Sequence, residues 1–155
     1  MEREFELLRI SRRHLLNLLD KFNEKELLEI PEGFNNNILW NAGHIVTTQQ
    51  RICYGLAGVQ LSIPKEYGQL FGKDSSPRTW NETPNISELK RLLADTDTII
   101  NDYKNGLLKN YKPYETSYGF FINNIEDGIA FNNIHEAMHI SAARSISKLV
   151  KKTTF

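Results

Sequence analysis

The sequence predicts an all-α fold: a four-helix bundle of mostly antiparallel helices joined by unequal loops. Three observations predict it. Four long segments carry apolar residues at three–four spacing, asparagines stand where the last three of those segments begin, and no stretch keeps the strict alternation of a sheet. The chain of 155 residues and 17.9 kDa suits one domain spanning 1–155, and its 40% hydrophobic content is enough for a core without disulfides.

The first helix is expected from Glu2 to about Asn23, with Phe5, Leu8, Leu15, Leu19 and Phe22 on one stripe that Arg12 interrupts. Pro31-Glu32-Gly33 breaks the chain, and Asn35 and Asn36 can cap a second helix from about Asn37 to Leu56. Val59 to Pro84 holds three of the five prolines, Pro64, Pro77 and Pro84, with Gly68 and Gly72 and no sustained period, so it reads as a long ordered connection anchored by Tyr67, Leu70, Phe71 and Trp80. Asn85-Ile-Ser-Glu88 has the spacing of a capping box, and a third helix follows from Ile86 to about Lys109. Tyr111 to Asn124 fits an extended crossover. Asn124 can cap a fourth helix running to about Lys151, where Lys148, Lys151 and Lys152 suit the negative end of its dipole.

Composition narrows the function classes. Nineteen basic residues balance nineteen acidic ones, so no net field recruits nucleic acid or an anionic membrane surface. A mean hydropathy of −0.45 and the lack of a long uncharged apolar run argue against a membrane span. The charged stretch Met1 to Ile10 does not read as a secretory signal, and the single cysteine, Cys53, gives no disulfide framework, so the expected location is the cytoplasm.

The strongest chemical signal is His135-Glu136-Ala137-Met138-His139 on the fourth predicted helix. Histidines at i and i+4 lie one turn apart on one face, where both imidazoles can reach one metal ion. The string also matches the metallopeptidase pattern H-E-x-x-H. That reading fails on ligand supply, because Ile140 to Phe155 contains no histidine, aspartate or glutamate. At about 100° per residue, Phe131, His135, Met138, His139, Ala142, Ile146 and Leu149 share the inward face, whereas Glu136 falls towards the flank, suited to a salt bridge at the rim. Two hydrogen-bonded core histidines are the simplest alternative to a metal site, but two in register on an apolar face are costly without a shared partner.

A third ligand must come from upstream, where His14 and His44 are the remaining imidazoles. Periodicity sets His44 about 100° away from the apolar stripe of Ile38, Ile45, Ile52 and Leu56, which predicts an exposed side chain unless the site opens at the mouth of the bundle. His14 has no companion motif. Arg51 reads as a solvated arginine or a binder of a substrate carboxylate, Cys53 as a packed thiol, and Trp40 as a core anchor able to wall a site at His44.

Trp40-x-x-x-His44 on the second helix, followed by Tyr118-Gly119, a capped turn and His135-Glu-x-x-His139, resembles the DinB-like family of bacterial proteins. The likeness extends over helix order, the long second-to-third connection and the run Ser117 through Leu149. It implies a four-helix bundle in which three histidines, here His44, His135 and His139, hold a divalent metal such as zinc or nickel. It further implies a small-molecule substrate and a homodimer, for which Ile140 offers an exposed apolar contact. Relatives transfer low-molecular-weight bacterial thiols onto electrophiles or are read as metal-dependent hydrolases. The resemblance therefore implies a metal-dependent thiol transferase or hydrolase, with a non-catalytic metal-binding or dimerisation bundle as the alternative. It names no catalytic residue.

Overall fold

The computed structural model describes residues 1–150, which are mostly helical. The order is α1 (Glu2–Leu19), α2 (Glu24–Leu28), α3 (Ile38–Gln49) continuing into a π-helical turn (Gln50–Gly55), α4 (Tyr67–Phe71), a 3-10 turn (Pro77–Thr79), α5 (Ile86–Ala94), α6 (Asp97–Lys104), β1 (Tyr114–Glu115), β2 (Phe121–Ile122) and α7 (Ile125–Val150). The strands form one antiparallel hairpin that pairs Tyr114 with Ile122 and Glu115 with Phe121.

Two buried clusters organise the chain. One gathers Leu15 and Leu19 of α1, Ile38 to Val46 of α3, Leu89 and Leu93 of α5, and Ile140 to Val150 of α7. The other gathers Phe5 and Leu8, Ile52 and Cys53, Ile99 and Ile100, and Ile125 and Ile129. Hence α1 and α7 run from the second cluster to the first, while α3 and the α5–α6 pair run the opposite way. The segment after α3 must therefore travel back along the molecule before α5 can start. That return accounts for its length, and Tyr67 and Phe71 tie it down by burying their rings in the first cluster.

Local chemistry sets the boundaries. The α1 helix stops at Leu19 and not near Asn23, because Asn23 starts a separate short helix: its side chain accepts from the Glu26 amide while Glu26 bonds back to the Asn23 amide. The cap of α3 is Asn37, accepting from the Trp40 amide at 2.7 Å, one residue beyond the expected Asn35 and Asn36. Asn85 caps α5 as the spacing predicts, but the third helix is not continuous to Lys109. It breaks at Asp95, whose carboxylate accepts from the Thr98 amide and hydroxyl and so restarts the chain as α6. Asn124 accepts from the Asp127 amide at the head of α7. Lys151 and Lys152 lie outside the described residues. No helix among the described residues is long and apolar enough to cross a membrane.

Gly43 marks the closest approach in this arrangement. A Cβ there would run into the ring of Phe71, which is fully buried and has no free direction to move. Gly43→Ala is expected to destabilise the protein by about 1–3 kcal/mol through overpacking, read as a lower urea midpoint at unchanged slope.

Candidate metal centre

Three histidines meet between α3 and α7. The ring centroids of His44 and His135 are 5.1 Å apart, and His139 lies 4.5 Å from each. One nitrogen from each ring falls within 4.8 Å of the others. His14, by contrast, is exposed on α1 and outside this cluster.

His44 is 7% exposed, not solvated as its position off the apolar stripe suggested. The periodicity argument assumed one buried face. In fact α3 is buried on nearly every side from Ile38 to Thr47, because the returning connection and α4 cover the flank away from α7. The Phe71 carbonyl, 2.7 Å from His44 Nδ1, can only accept, so Nδ1 carries the proton and Nε2 keeps its lone pair. Thr48 Oγ1 reaches that Nε2 only at 3.4 Å, longer than an ordinary hydrogen bond of its type. Trp40 stacks on His44 with centroids 4.7 Å apart and planes 10° from parallel, walling that side as its spacing suggested.

Asn41, which sequence reasoning missed, sets the second ring. Its amide nitrogen donates to the Asn37 carbonyl at 2.8 Å and to Asn36 Oδ1 at 3.0 Å, which leaves Oδ1 to accept from His139 Nδ1 at 2.9 Å. His139 Nε2 is thereby the basic nitrogen. The available signal was position: Asn41 sits three residues before His44, on the same side of the helix. His135 differs from both, since its Nδ1 is buried and has no hydrogen-bond partner among the described residues.

These details fit a divalent ion. Backbone or amide partners on the remote nitrogens are the usual means of orienting metal-bound imidazoles, and the orphaned nitrogen of His135 is a buried group in need of a partner. Burial also keeps the set neutral, as ligation requires. Desolvation, reinforced by His139 and His44, pushes His135 down to about 3; desolvation and His44 push His139 down to about 4. His44 is lowered chiefly by desolvation and by Arg51, against the opposing bond to Phe71. Arg51 is exposed, and Cys53 is a fully buried thiol pushed upward by desolvation, as expected of a packed cysteine.

A pH prediction follows for the metal-free protein. Unfolded histidines take up protons near pH 6.5, whereas His135 and His139 in the native state resist until about 3 to 4. The unfolded state then binds more protons, so native stability falls as pH drops through that window. The urea midpoint of wild type is expected to fall more between pH 7 and pH 5 than that of His135→Ala. Equal falls would contradict the shifts.

Two further expectations are corrected on α7. Glu136 is not at the rim: it is fully buried, with Oε1 2.7 Å from Arg12 Nη2 and Oε2 2.8 Å from Arg12 Nε. Gln49 Oε1 accepts from Arg12 Nη2 at 3.0 Å, and Asn132 Nδ2 donates to Glu136 Oε1 at 2.8 Å. Because this network draws Asn132 and Glu136 inward, the buried face of α7 is turned by roughly one residue, about 100°, from the predicted one. Met138 and Leu149 are consequently exposed, and Ile140 is buried and not available as a surface contact.

No protein of curated function matches the chain. Residues 7–143 match the DinB superfamily, a span that contains His44, His135 and His139. The chain belongs to the DinB superfamily.

Proposed function

We propose that this chain is a single-domain four-helix bundle holding one divalent ion, zinc or nickel, on His44, His135 and His139, and that it transfers a low-molecular-weight thiol to a small electrophile. The carrying observation is the convergence of three neutral imidazoles, two of them oriented through Nδ1 by the Phe71 carbonyl and Asn41. Imidazole sets suit zinc and nickel, and three protein ligands leave room for an exogenous one. A divalent ion held there supplies Lewis acidity that favours the anion of a coordinated thiol or water near neutral pH.

The chain's own residues favour the thiol over hydrolysis. The carboxylate nearest in sequence, Glu136, is engaged by Arg12 and Asn132 and faces away from any role as general base. A thiol, with an ordinary pKa of about 8.5, needs far less help to ionise than water at about 15.7. With three neutral ligands and Arg51 near His44, the loaded centre is cationic and attracts an anionic partner. Trp40 keeps solvent from one face of His44. Ile134 and Met138, exposed neighbours one turn apart on α7, replace Ile140 as the apolar contact for a homodimer. A cytoplasmic location accords with a thiol co-substrate.

Turnover of a model aryl halide with bacillithiol, mycothiol or glutathione is the test. Thiol-dependent conjugation that chelator abolishes and zinc or nickel restores is expected. Ester hydrolysis without thiol would favour the hydrolase, and a metal-loaded but inert protein the non-catalytic alternative.

A further inference from the structure

The hairpin between α6 and α7 brings aromatic rings to the histidine cluster. On α7, Phe131 lies one turn before His135, their centroids 6.2 Å apart and planes 29° from parallel. Phe120 stacks on Phe131 at 6.1 Å and 7°, and Tyr118 leans on it at 6.5 Å. The rings thus form a continuous ladder from a triad imidazole to the surface. Its outer members are open, Phe120 at 47% and Tyr118 at 66% exposure, whereas Trp40 on the His44 side is 6% exposed. The centre is closed on one flank and aromatic on the other.

The hairpin is built to hold these rings in place. Ile122 is fully buried, and Thr116 is buried and bonds to both the Phe120 carbonyl and the Phe120 amide, at 2.9 and 3.1 Å. Gly119 turns the chain with φ of 75°, a left-handed conformation natural to glycine. Exposed aromatic rings fixed beside a cluster of ligating histidines have the composition of a binding pocket: apolar walls with a few convergent polar groups.

We propose that Tyr118, Phe120 and Phe131 are the specificity-determining wall of this centre, selecting compounds with an aromatic or similarly planar apolar group beside their metal-binding head. The inference rests on the metal-centre reading and names the substrate class for it. Phe131 adjoins His135, so a planar group held against the open rings of the ladder places an adjoining polar head toward the triad.

Calorimetric titration of zinc-loaded, tag-free full-length protein with acetohydroxamate and benzohydroxamate tests it, because the two share a chelating head and differ by the aryl group. Benzohydroxamate is expected to bind about tenfold tighter to wild type, the scale of one or two aromatic contacts. In the Tyr118→Ala/Phe120→Ala double variant that preference should shrink to about twofold, with zinc stoichiometry and acetohydroxamate affinity unchanged. Equal affinities in wild type, a preference that survives in the variant, or a parallel loss of both ligands would overturn the wall. Failure of the wild-type chain to take up zinc would overturn the metal centre itself, and the wall with it; normal zinc uptake with no aryl preference overturns the wall alone.

Discussion

Arg12→Met is expected to cost about 3–5 kcal/mol of unfolding free energy, because it leaves the Glu136 carboxylate buried without its counter-charge. Both side chains are at most 2% exposed, and the guanidinium meets the carboxylate through two bonds of 2.7 and 2.8 Å. Water cannot replace the lost partner at such depth, so the desolvation penalty stands uncompensated. The double variant Arg12→Met/Glu136→Leu should recover much of the loss, since an apolar pair can substitute for a buried ion pair. It should not recover all, because Gln49 and Asn132 lose their partners as well. Denaturant titrations of the two single variants and the double give the coupling directly; additive losses would show that Arg12 and Glu136 do not depend on one another.

His139→Ala should abolish stoichiometric metal. Two imidazoles from different helices remain, and the basic nitrogen fixed by Asn41 is gone. Asn41→Ala keeps all three imidazoles but frees the His139 ring, and should weaken metal binding by about 10–100-fold, the usual effect of removing a partner that orients a ligand. His14→Ala should change nothing, because His14 is exposed and outside the cluster. Competition with a chromophoric chelator ranks the four proteins. An order other than wild type and His14→Ala, then Asn41→Ala, then His139→Ala would contradict the assigned roles.

The sequence made the histidine pair legible because i,i+4 histidines declare a shared face whatever surrounds them. The caps at Asn85 and Asn124 were equally local, and both are used. His44 was harder, since a helix covered on nearly every side has no single buried stripe for periodicity to find, and its cover comes from a segment distant in sequence. Resemblance to the family, not the wheel, pointed to it. Glu136 misled for a related reason. Its surroundings are set by Arg12, more than a hundred residues away. The usable signal was that each charge interrupts an apolar stripe on its own helix, with opposite sign. The break at Asp95 lay in side-chain bonds to Thr98 that compete with the helix, a signal a run of apolar spacing conceals.

Metal-edge X-ray absorption on the full chain, purified without a histidine tag, tests the central claim most directly. The account predicts one divalent ion per chain, with imidazole scattering from three histidines at about 2.0–2.1 Å for zinc and lighter donors completing the shell. The imidazole signal should vanish in His135→Ala and His139→Ala and persist in His14→Ala. A metal-free protein after loading with zinc or nickel, or a bound ion without histidine scattering, would contradict it.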